Sequence, residues 1–113
     1  VSVLAEALDL WASAGIEPAQ AISALLPLAR TSLVSFESAA TGGALDAAVA
    51  GPVARGDLGV IESHLTAFDK QGIDSALYRT IALKQVQLMA RGDRLTAATL
   101  AAVEQRLARS SGD

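Results

Sequence analysis

The sequence predicts an all-α protein, a single bundle of five or six helices joined by short loops. Three observations lead there. Alanine is the commonest residue and leucine the next, while aromatics make up only 4%; alanine loses least on entering a helix and lets helices approach closely. Apolar residues recur at three- and four-residue intervals through most of the chain, the period of a helix with one buried face. Glycine- and proline-bearing breakers separate the periodic stretches, and no stretch reads as a convincing strand.

The first helix is expected over residues 1–14, with Leu4, Ala7, Leu8 and Trp11 at helical spacing and Gly15 ending it. Its other side carries Val1, Ala5 and Ala12, with only Glu6 and Asp9 as charges. A helix apolar around its circumference wants burial on more than one side. That fits either a central core helix or one packed against a second chain or domain. Glu17 and Pro18 open a second helix, proline costing nothing in a first turn. Its inner stripe reads Ile22, Leu25, Ala29, Leu33 and Phe36. Pro27 lies inside this stripe, where it removes a backbone hydrogen bond, so a kink near Ala24 or two abutting helices are expected. Thr41, Gly42 and Gly43 form a breaker cluster. One or two short turns follow, with Leu45 and Val49 facing inward.

A further helix is expected over 58–70, with Ile61, Leu65 and Phe68 inside and Gly72 after it. Asp74 or Ser75 caps the next, which runs to about Ala90 and buries Leu77, Ile81, Leu88 and Met89. Thr96 caps the last helix, with Leu100, Val103 and Leu107 inward. The polar tail Ser110–Asp113 is expected to fray.

At 113 residues the chain is one domain's worth, and an apolar fraction of 51% supports a core. The net charge is −3, and the basic residues are scattered from Arg30 to Arg109. No basic stripe displaces counterions from a phosphate backbone, so nucleic acid is not expected as a partner. Charges, Gly and Pro interrupt every apolar run, so no membrane span is expected. With no cysteine and no signal-peptide layout, a cytoplasmic location is expected. One histidine without cysteines or clustered carboxylates offers no metal site.

The chemistry-bearing residues gather in AGPVARGDLGVIESHL, Ala50 to Leu65. Gly51 and Pro52 end what precedes them, because proline pushes the residue before it out of the helical region. Gly56 permits a positive φ. Asp57 stands where a helix cap belongs, accepting from the amide of Gly59 or Val60. Arg55 has two readings: a bridge to a carboxylate within the domain, or a cation presented to an anionic ligand. The Arg55-Gly56-Asp57 tripeptide runs into a helix, which sets aside an adhesion-motif reading. His64 borders the inner stripe of its helix, as a boundary residue with one satisfied nitrogen or as a proton donor where a cleft brings substrate within reach. No Gly-rich loop follows a strand to cradle a dinucleotide.

The run Gly51-Pro52-Val53-Ala54-Arg55-Gly56-Asp57, followed by His64-Leu65 and Tyr78-Arg79, resembles the helical C-terminal domain of the family that joins a Rossmann-like domain to domain of unknown function 2520. AGIEP at Ala14–Pro18 and the stretch ALLPLARTSL resemble that domain's opening. Ala50 departs from the pattern, which commonly has Thr there. The helical domain is in turn similar to the C-terminal domains of pyrroline-5-carboxylate reductase and the 6-phosphogluconate dehydrogenase superfamily.

The resemblance implies a parent oxidoreductase that uses NAD(P), whose N-terminal Rossmann domain holds the nucleotide and is absent from residues 1–113. The chain itself is then expected to bind no cofactor. It would line the substrate cleft and form a homodimer interface, with Arg55, His64 and Tyr78 as candidates for binding a small anionic substrate. Gly51, Pro52, Gly56 and Asp57 would shape the turn and cap. The alternative is a stand-alone helical dimerisation or ligand-sensing module without catalysis.

Overall fold

In a computed structural model that describes residues 1–109, proline opens two of the helices and glycine closes two, the short Pro52–Arg55 helix having both. The elements are α1 (Ser2–Ser13), α2 (Pro18–Thr41), α3 (Pro52–Arg55), α4 (Leu58–Gln71), α5 (Ala76–Met89) and α6 (Ala97–Ala108). A 3₁₀ turn at Leu45–Ala48 lies between α2 and α3, and there is no strand among the described residues. The all-helical class and the six helices agree with the sequence. The tail Ser110–Asp113 lies outside the described residues. Contacts divide the chain into two compact units, Val1–Ser38 and the chain from Ala39 onward.

The first unit consists of α1 and most of α2. Backbone amides of Ala14 and Ile16 both donate to the Trp11 carbonyl and close α1. α2 runs unbroken through Pro27 as one helix, so the alternative of two abutting helices does not hold. Beyond the proline, the Thr31 and Ser32 hydroxyls donate to the carbonyls of Pro27 and Leu28. The stripe read as inward on α2 needs correction. Only Ala21 is buried in the whole unit, while Ile22, Leu33 and Phe36 are exposed and Leu25 and Ala29 half-buried. Periodicity located an apolar face, but nothing within Val1–Ser38 covers it.

The second unit has a true core. Val49, Val53 and Ala54, Ile61 and Leu65, Ala82, Val86 and Met89, and Val103 and Leu107 form one buried cluster. Burying a Val, Leu, Ile or Met side chain contributes roughly 1.5–3 kcal/mol. α3 has one turn, yet it places Val53 and Ala54 in this cluster and packs against both α4 and α5. The buried face of α5 is Ala82, Val86 and Met89; Leu77, Ile81 and Leu88 are only half-buried. The face α5 buries is therefore set by small Ala82 with Val86 and Met89, and not by the bulkier residues its spacing suggested.

Two loops are pinned by close approach. Arg94 reaches across 48 residues, its Nη1 donating to the Asp46 carbonyl at 2.9 Å and the Val49 carbonyl at 3.3 Å. A side chain at Gly92 would collide with the Asp46 carboxylate. Gly56 has φ +64°, and a Cβ there would sit 2.5 Å from Thr99 Cγ2 and 3.5 Å from Leu95 Cδ2. Glycine is thus required twice at position 56, for its backbone and for its space.

Gly56→Ala is expected to lower stability by roughly 2–4 kcal/mol, the sum of a left-handed backbone and an overpacked contact. Thr99→Ser removes the clashing methyl and keeps the hydroxyl that bonds Thr96. Urea unfolding of the double variant should therefore recover part of the loss. No recovery would mean that the contact with Thr99 contributes nothing.

Candidate functional site

The Gly51–Asp57 segment is a helix-to-helix junction built from backbone hydrogen bonds. Gly51, at φ +95°, precedes Pro52, the first residue of α3. Asp57 N–H donates to the Pro52 carbonyl at 2.8 Å, and Gly56 N–H donates to the Val53 carbonyl at 3.0 Å. This is the paired-bond helix stop that a left-handed residue makes possible. Asp57 Oδ1 then accepts from Val60 N–H at 3.1 Å and starts α4. One helix ends and the next begins within two residues. Arg55, the last residue of α3, is exposed and makes no side-chain hydrogen bond or ion pair among the described residues. The intradomain carboxylate bridge considered for it does not form among those residues.

α4 and α5 bring His64 and Tyr78 together. His64 Nδ1 lies 2.9 Å from Tyr78 Oη, and the rings meet edge to face with centroids 5.7 Å apart. Tyr78 also packs on Phe68, one helical turn beyond His64, at 5.3 Å. Phe68 is buried, Tyr78 half-buried and His64 exposed. The phenol is therefore anchored in apolar surroundings while the imidazole faces water. Burial raises the Tyr78 pKa above its usual value, because the phenolate loses hydration.

The chemistry of the pair follows from proton counting. With the neutral Nε2–H tautomer, Tyr78 O–H donates to Nδ1; with the neutral Nδ1–H tautomer, Nδ1–H donates to the phenol oxygen and Nε2 is a free acceptor. With an imidazolium, Nδ1–H again donates to the phenol oxygen. The pair keeps its hydrogen bond in either tautomer and in the imidazolium, and Nε2 faces outward as a donor or an acceptor according to the tautomer. It can orient a carbonyl or carboxylate, or pass a proton to one.

Among the described residues no hydrogen bond or ion pair joins Arg55 to His64 or Tyr78, so the three sequence candidates resolve into a hydrogen-bonded pair and a separate cation. Other pairings were invisible in the sequence. Arg106 on α6 forks onto Glu62 on α4 through Nε and Nη2, the latter at 3.0 Å. That hydrogen bond lowers the Glu62 pKa and raises that of Arg106. Buried Ser75 accepts from Arg79 Nε at 3.1 Å. Glu62 and Arg106 stand 44 positions apart, and no local spacing signals such a bond. A shallow hollow on α4 is lined by Glu62, Ser63, Thr66, Ala67 and Lys70, beside the exposed His64 but not including it. Among the described residues no group of three or more His, Asp or Glu side chains stands ready for a metal ion, and no helix is long and apolar enough to cross a membrane.

Residues 1–85 match the model of a protein family described as Domain of unknown function (DUF2520). The match takes in the Gly51–Asp57 junction, His64 and Tyr78. No curated protein and no solved structure matches the chain.

Tyr78 is the sole tyrosine, so an ultraviolet titration of phenolate reads it alone. Its midpoint in the folded protein should lie above the ordinary tyrosine value and return to that value in denaturant. A raised acid contributes stability that is fully present below the unfolded pKa and is lost as pH rises through the folded one. Unfolding free energy should therefore fall across this alkaline window. A folded-state midpoint at the ordinary value would contradict the burial assigned to the phenol.

Proposed function

The chain belongs to the DUF2520 family, and from that premise we propose that it is the helical C-terminal part of an NAD(P)-dependent oxidoreductase. In this reading a Rossmann domain elsewhere in the parent protein grips the nucleotide. The helical part supplies the substrate-side wall and a subunit interface, works in the cytoplasm and binds no cofactor alone. The observation that carries the proposal is the uncovered apolar surface of Val1–Ser38, where only Ala21 is buried and Val1, Val3, Leu4, Ile22, Leu33 and Phe36 are exposed. A unit this short with one buried residue has no core of its own, so its helices gain stability from what covers them.

Two polar features give the wall chemistry to offer. The His64–Tyr78 pair supplies an oriented imidazole, a donor or an acceptor at Nε2 according to its tautomer, and a route for a proton. Arg55 supplies an exposed guanidinium with no partner among the described residues, suited to the carboxylate or phosphate of a small anionic substrate. The same uncovered surface also supports a second reading, a helical dimerisation or ligand-sensing module without catalysis. The two part over the parent's response to nucleotide.

Thermal unfolding of the full-length parent should shift upward with NADPH or NADH, while the 113-residue chain alone shows no shift. Arg55→Ala in the parent should lower kcat/KM by about tenfold or more, the worth of a charge-assisted hydrogen bond, and leave nucleotide binding intact. A parent indifferent to both nucleotides favours the module without catalysis. Unchanged turnover in the variant removes Arg55 from the site.

A further inference from the structure

We propose that α2 is the seam along which two copies of this chain pair, antiparallel, with Arg30 of each copy against Glu37 of the other. The inference deepens the proposed function by naming the partner of one uncovered surface, and it can fail without that reading failing.

The seam can be read from the spacing and the exposure together. Ile22, Leu26, Ala29, Leu33, Phe36 and Ala40 follow one another at alternating intervals of four and three residues. This is the repeat that keeps one apolar edge facing a second helix. Leu33 is 68% exposed and Phe36 56%, and every residue from Arg30 to Ser38 is exposed. Beyond Pro27 the helix therefore carries an exposed apolar edge that nothing within Val1–Ser38 covers. In heptad terms Leu26, Leu33 and Ala40 occupy the first apolar position, and Ile22, Ala29 and Phe36 the second.

Charge then selects the partner, its direction and its register. Arg30 and Glu37 both flank the seam at the position immediately after the second apolar residue. In an antiparallel helix pair such positions face their own kind across the seam. In a parallel pair they face the position before the first apolar residue, here Leu25, Ser32 and Ala39, none of which is charged. Antiparallel pairing with Leu33 opposite Phe36 sets Arg30 against Glu37 twice, once on each side of the two-fold axis. Sliding by one heptad in one direction sets Arg30 against Arg30; sliding the other way sets Glu37 against Glu37. Opposite charges meet in one register only. Leu28 and Val34 lie off the seam, and this pairing leaves them uncovered.

The test is sedimentation equilibrium of the 113-residue chain. The chain should dimerise, and Arg30→Glu or Glu37→Arg alone should raise the dimer Kd by about tenfold, because each reversal creates two like-charge contacts. The double reversal should return it to within about threefold of the starting value, since the pairs are restored in mirror image. Both positions are exposed, and the circular dichroism of each variant checks that its helices are retained. The chain has no cysteine, which permits a register check: Arg30→Cys chains mixed with Glu37→Cys chains should cross-link to each other far more than either does to itself. A monomer at all concentrations overturns the proposal. So does a dimer indifferent to both reversals, a dimer that the double reversal fails to restore, or one that Val3→Glu on α1 dissociates while Phe36→Glu does not. Nucleotide stabilisation of the parent is read separately and is unaffected by either result.

Discussion

Apolar surface has to leave water for helices of this length to persist, and the two units meet that requirement in opposite ways. From Ala39 onward four helices and a 3₁₀ turn enclose one cluster of buried Val, Leu, Ile, Ala and Met side chains. Over Val1–Ser38 two helices bury a single alanine and leave six large apolar side chains on α2 exposed. The imbalance does not arise from poor helix formers, since the sequence of α2 is rich in Ala and Leu and runs for 24 residues. It arises because two helices alone cannot enclose each other's apolar faces. The functional reading and the seam on α2 both descend from that deficit.

The second unit shows what close packing demands of a short chain. α3, only four residues long, would not persist alone, because a helix nucleus fixes several residues for each hydrogen bond gained. It persists here because Val53 and Ala54 are buried and because its end and the start of α4 are settled by the same few atoms around Gly56 and Asp57. The position is inflexible: Thr99 and Leu95 fill the space that any side chain at 56 would need. What looks in the sequence like a motif full of chemistry is mainly a backbone junction. It leaves Arg55 as its one outward charge and sets α4 on its course toward the contact of His64 with Tyr78.

Helix existence and most helix limits were legible because local chemistry decides them. Proline at a first turn and glycine after a last turn act within a few residues, so the stretch expected over 58–70 is found as Leu58–Gln71. Which face of a helix is covered was legible only where the rest of the chain could cover it. Ile61, Leu65 and Phe68 of α4 are buried as the spacing implies, while Leu33 and Phe36 of α2, with equally regular spacing, are not. Leucines misplaced the buried face of α5, which is made by Ala82, Val86 and Met89. The bonds of Arg94 to the 3₁₀ turn and of Arg106 to Glu62 join residues more than 40 positions apart, and only the folded chain brings them together. His64 and Tyr78 entered as separate candidates; that they share a hydrogen bond depends on how α4 lies beside α5.

The central claim is that α1 and α2 draw their stability from a surface outside their own unit. Amide hydrogen exchange of the 113-residue chain, followed residue by residue at two protein concentrations, tests it most directly. The account predicts that at high dilution the amides of Leu33 to Phe36 exchange orders of magnitude faster than those of Val86 and Val103, and that concentration slows the former while leaving the latter unchanged. Equal protection of the two sets at high dilution, with no response to concentration, would contradict it.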